Sequence, residues 1–97
     1  MSAMYILDAE GQPRPENDPA VWGAWMQTAN CKVALTHLEN ADISTVFLGL
    51  DYAFGGGPPL LWETMIFGGR HDDYQVRYST LADAKLGHAE AVALARP

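Results

Sequence analysis

Phe47-Leu48-Gly49-Leu50-Asp51-Tyr52-Ala53-Phe54-Gly55-Gly56-Gly57-Pro58-Pro59-Leu60-Leu61-Trp62-Glu63-Thr64-Met65-Ile66-Phe67-Gly68-Gly69 sets two apolar, strand-like segments around a glycine triplet and a proline pair. Clustered Gly and Pro mark a chain reversal, and the β-branched and aromatic residues on either side predict two strands joined through it. Single acids, Asp51 and Glu63, stand among aromatics in this run. It organises the expected architecture.

The pattern repeats outward from this hairpin. Upstream, residues 32–38 alternate as a strand, 39–42 form a turn, and 43–50 form a second, apolar strand. Downstream, 60–67 form a third strand, 68–73 a turn and 74–78 a fourth. Turns of hairpin length cannot make parallel crossovers, so the strands form an antiparallel meander. Near the start, 5–7 is a short strand and 8–18, with Gly11, Pro13 and Pro15, reads as a loop. Asp18-Pro19 opens a helix reaching residue 29, with Trp22, Trp25, Met26 and Ala29 on one face. Thr80, with Asp83 three residues on, opens a second helix to residue 95. Its inner stripe is Leu81, Ala84, His88, Ala91, Val92 and Ala95. The expected fold is α+β in the order β-α-β-β-β-β-α. It is a single domain, 1–97, with a curved, mainly antiparallel sheet of four to five strands and two helices packed on it.

Composition narrows the function classes. The chain has 97 residues, 48% hydrophobic and 19% charged, which is a globular composition. Ten aromatics exceed what one small core hides, so a homo-oligomer is expected. Net charge is −6, and the six basic side chains are scattered singly. No basic stripe offers itself to phosphates, so direct nucleic-acid binding is not expected. Cys31 is alone, which fits a reducing compartment. No basic, then apolar, leader pattern and no membrane-length apolar run is present, so a cytoplasmic protein with no membrane partner is expected.

The glycine triplet invites comparison with phosphate loops, since consecutive glycines let backbone amides gather around an anion. No Lys-Ser or Lys-Thr pair follows, a strand comes next instead of a helix, and Pro58 and Pro59 lack N–H donors. The segment reads instead as a stiffened tip for contact with a partner or ligand. Its expected contact set is Asp51, Tyr52, Phe54, Gly55, Gly56, Gly57, Trp62, Glu63, Arg70 and Arg77. Glu63, if it points to an apolar face, needs a partner such as Arg77 or Lys32. His37, His71 and His88 lack zinc-site spacing, and His88 reads as a hydrogen-bonded core histidine. Ser44, Thr45, Thr64 and Cys31 sit in no nucleophile elbow, so no catalytic residue, metal or cofactor is assigned.

Three strings carry a resemblance: residues 44–51, residues 57–69, and Arg77-Tyr78-Ser79-Thr80 with Gly87-His88. In this order and spacing the chain resembles small uncharacterised proteins encoded by tailed bacteriophages and prophages. The resemblance spans about residues 31–92 and implies a bacterial host cell as the setting, with no activity attached. In that setting the chain is expected to bind stoichiometrically and inhibit a host antiviral defence. It would either cap a host protein or, as an oligomer, sequester a nucleotide signal. The alternatives are a small hydrolytic enzyme using Asp51 and Glu63, with a histidine, and a minor virion or morphogenesis component.

Overall fold

A computed structural model describes residues 3–97. Six strands and two helices follow one another as β1 (Tyr5–Leu7), β2 (Pro13–Pro15), α1 (Pro19–Thr28), β3 (Lys32–His37), β4 (Asp42–Phe47), β5 (Trp62–Phe67), β6 (Gln75–Tyr78) and α2 (Leu81–Ala95). A single 3₁₀ turn, Gly69–His71, links β5 to β6. The α+β reading, the antiparallel sheet and both helices are what the structure shows.

Strands β3-β4-β5-β6 form one antiparallel sheet in sequence order, and β1-β2 form a separate hairpin. Register fixes the faces. Ile43 pairs Ile66, Thr45 pairs Thr64 and Phe47 pairs Trp62, so these side chains share one face. Helix α2 covers that face with Ala84, Gly87, His88, Ala91 and Ala95. Small residues let it lie close: a Cβ on Gly87 would collide with the Tyr78 ring. Thr80 caps α2 by accepting from the Asp83 amide at 3.1 Å. Two buried clusters result. Ile43, Ile66, Ala91 and Ala95 pack toward the end of α2, whereas Phe47, Leu61, Trp62 and Ala84 pack toward its start.

Helix α1 is capped as its sequence predicts, Asp18 Oδ1 accepting from the Ala20 amide at 2.9 Å. It lies beside β1 at one end of the sheet. Trp25 meets Phe47 edge-on at 5.9 Å, and Trp22 Nε1 donates to the Gly49 carbonyl at 3.0 Å. No residue of α1 is fully buried, so its apolar face serves as a flank of the core and not its centre.

Most ends shift by one or two residues from the sequence reading, and two differences are larger. Pro13–Pro15, expected as loop, pairs with β1, which a two-stranded ribbon allows because its outer edge needs no donors from Pro. Residues 48–50, expected inside β4, leave its ladder with β3. Leu48 donates to the Leu61 carbonyl at 2.7 Å, and Leu50 bridges Met4. The chain thereby exits the sheet toward the glycine loop.

Candidate functional site

The segment from Asp51 to Leu60 is held at its base by one side chain. Asp51 Oδ1 accepts from the Ala53 amide at 2.8 Å and from the Leu60 amide at 3.0 Å. Tyr52 N donates across the same neck to the Leu60 carbonyl at 3.2 Å. Local turns of this kind suit Asp, whose short carboxylate reaches nearby amides. Above the neck, Gly55 and Gly56 both take φ +78°, a conformation that other residues adopt at a cost. The result lifts Phe54 into solvent, 95% exposed.

A charged cluster stands beside the loop on the sheet face away from α2. Glu63 alternates with Trp62 and Thr64 on β5 and therefore points to the opposite side. Only 8% of it is exposed. Its Oε2 accepts from Arg77 Nε at 2.9 Å and from Gln75 Nε2 at 2.7 Å. Register explains the grouping, since Glu63 is the cross-strand partner of Arg77. The Arg77 guanidinium in turn lies 4.5 Å from the centre of the Tyr52 ring, within cation–π range. Asp51, Tyr52, Arg77, Glu63 and Gln75 thus link the loop to the sheet in one chain of contacts. The same edge carries a groove of about 390 Å³ between β6 and α2, lined by Leu60, Arg77, Tyr78, Ser79, Asp83 and Leu86 among others.

Several expected contact residues are placed elsewhere. Trp62 is 1% exposed and packs against Phe47 at 5.4 Å, so its indole is core and does not reach the loop surface. Arg70 sits in the turn after β5, whereas Glu63 is near the start of that strand. At about 3.3 Å per residue, the strand alone puts roughly 13 Å between Glu63 and Phe67 at its far end. Arg70 and Arg77 therefore do not act together. Phe67, which ends β5, is half exposed on the open face.

The hydrolytic arrangement does not form. Asp51 is occupied by loop amides and Glu63 by Arg77 and Gln75. His88 lies across the sheet from Glu63, inside the α2 interface. There its Nδ1 is 2.8 Å from Thr45 Oγ1 and its Nε2 is 2.9 Å from Thr36 Oγ1. Thr45 Oγ1 also shares a 2.5 Å hydrogen bond with Thr64 Oγ1. Burial holds the His88 pKa below its ordinary range. This matches the core histidine that the α2 stripe predicts. His37 pairs with Asp42 at 2.7 Å at the far end of the sheet, and His71 lies in the distant 3₁₀ turn. The sequence offered Arg77 or Lys32 as the partner of Glu63, and the structure pairs it with Arg77; the sequence reading missed Gln75 and the Tyr52–Arg77 contact.

Among the described residues, no helix is long and apolar enough to cross a membrane. Comparison with known proteins finds no matching family model, no matching curated protein and no matching solved structure.

Proposed function

We propose that this chain is a stoichiometric binding protein that caps a host protein through its 51–60 loop, inhibiting a bacterial antiviral defence in the phage setting its sequence resembles. The observation that carries this reading is Phe54: a large aromatic held fully in solvent by a loop whose base is stapled to the sheet. Exposed aromatics on preorganised loops serve as anchors in protein interfaces, where a few such residues supply most of the affinity. The neighbouring groove, with Leu86 on its wall, extends the same surface.

Nucleotide sequestration has less support. That reading needs a cation beside the glycine amides, and Arg77 faces Glu63 while Arg70 is at the other end of β5. The proposed contact between copies belongs to the open sheet face, where Leu35 and Phe67 are exposed. Sedimentation equilibrium of Phe67→Ser against wild type tests it, with a weakened self-association expected.

The capping reading is tested by affinity capture from phage-infected bacterial cells with wild type and Phe54→Ala at matched loading. Wild type should retain one host protein at a fixed ratio, and Phe54→Ala should lose it. Equal capture by both chains would remove the loop from the interface.

A further inference from the structure

The second buried cluster has a concave flank. A half-open pocket of about 210 Å³ enters it between the β1-β2 hairpin, the start of β3 and the first turns of α2. Its lining includes Phe47 and Trp62 of that cluster and Leu7, Val33 and Leu81, which are partly buried and pack against it. One wall is rigid by construction, because Asp8 Oδ1 accepts from the Glu10 and Gln12 amides at 2.9 Å each and fixes the hairpin turn.

The charge at its mouth is one-sided. Lys32 and Lys85, 53 positions apart by numbering (85 − 32), both line the opening, and no acid does. In a chain with 12 acids and 6 bases this is a local reversal of sign. Among the described residues neither lysine has a carboxylate at ion-pair distance. Burial pushes the Cys31 thiol pKa up, so at neutral pH Cys31 is a neutral part of the wall.

We propose that this pocket binds a small apolar monocarboxylate, its hydrocarbon body against the half-buried Leu7, Val33 and Leu81 over a floor of Phe47 and Trp62, and its anionic head between Lys32 and Lys85. Size agrees: an apolar cavity of about 150 Å³ admits benzene, so the larger volume here takes one ring or a short alkyl chain with a carboxylate attached. This site is independent of the 51–60 loop.

The only cysteine in the chain provides the assay. The rate at which N-ethylmaleimide modifies Cys31 in the full chain is measured with added 3-phenylpropionate or octanoate, and with the corresponding neutral amides. Each acid that fits should slow modification and do so at about tenfold lower concentration than its amide, the discrimination expected of two exposed lysines acting together. Slowing by only one acid identifies the body as ring or chain. Lys32→Gln with Lys85→Gln should erase the acid–amide difference while leaving the amide's own effect. Equal slowing by acids and amides in the wild-type chain overturns the anion site, and no slowing by any of the four overturns the pocket.

Discussion

The four-stranded sheet has two unlike faces made from alternate residues of the same strands. On one, Ile43, Thr45, Phe47, Trp62, Thr64 and Ile66 are buried under α2. On the other, Leu35 and Phe67 meet solvent, and Glu63 is covered only where the glycine loop folds back over Arg77. The first face buries apolar area and so supplies the stability of a small domain. The second adds little burial, and its one organised region supports an exposed aromatic. Apolar burial is thereby confined to one side of the sheet, while the most exposed aromatic, Phe54, stands on the loop beyond it, so mutations can separate stability from the proposed contact.

The largest effect should come from the covered face. Trp62→Ala removes a fully buried indole and should cost about 3–5 kcal/mol in urea unfolding, enough to unfold much of the chain. Phe67→Ala, on the same strand but the open face, should shift stability by about 0.5 kcal/mol or less. Similar losses from both substitutions would erase the distinction between the faces.

Glu63 is the exception on the open face and should behave as a buried group. Glu63→Ala strands Arg77 and Gln75 and should cost about 1–3 kcal/mol, toward the lower figure because Arg77 reaches water. Replacing the pair together, Glu63→Met with Arg77→Met, should recover most of that loss while freeing the Tyr52 ring. Failure of the double variant to recover would show that the cluster stabilises the loop by more than charge pairing.

A smaller, pH-graded effect separates the faces again. The His88 pKa is lowered in the folded chain by burial. Its contribution is complete above the unfolded value, about 6.5. As pH falls below that value the unfolded chain takes up the proton first, so stability declines until the folded pKa is passed. His88→Gln should flatten this part of the stability–pH curve. An unchanged slope would place the acid sensitivity elsewhere. The smallest effect on stability belongs to Phe54→Ala, within about 0.5 kcal/mol of wild type by urea unfolding, because its ring contacts almost nothing in the free chain.

This division also explains what the sequence made legible. Helix α2 was readable because Thr80, Asp83 and the stripe through His88 state its start, dipole preference and buried side in local terms. That Glu63 needs a cation was readable, because an acid among apolar strand residues needs a partner; the choice of Arg77 over Lys32 follows only from the β5–β6 register. Which face α2 covers was not, since both faces of β5 carry large apolar residues: Trp62 and Ile66 on one, Met65 and Phe67 on the other. Strand β2 was hidden by Pro13 and Pro15, whose signal as loop formers is stronger than their tolerance on a ribbon edge. Tyr52 over Arg77, and Lys32 beside Lys85, join residues far apart in the chain and follow only from the packed topology.

The central claim is that recognition lives in the loop tip and not on the open sheet face. It is tested most directly by placing a photo-crosslinking amino acid at position 54 and, in a separate chain, at position 67, then irradiating infected cells. One discrete adduct with a host protein is expected from position 54, and from position 67 only adducts between copies of the chain. A host adduct from position 67 with none from position 54 would contradict it.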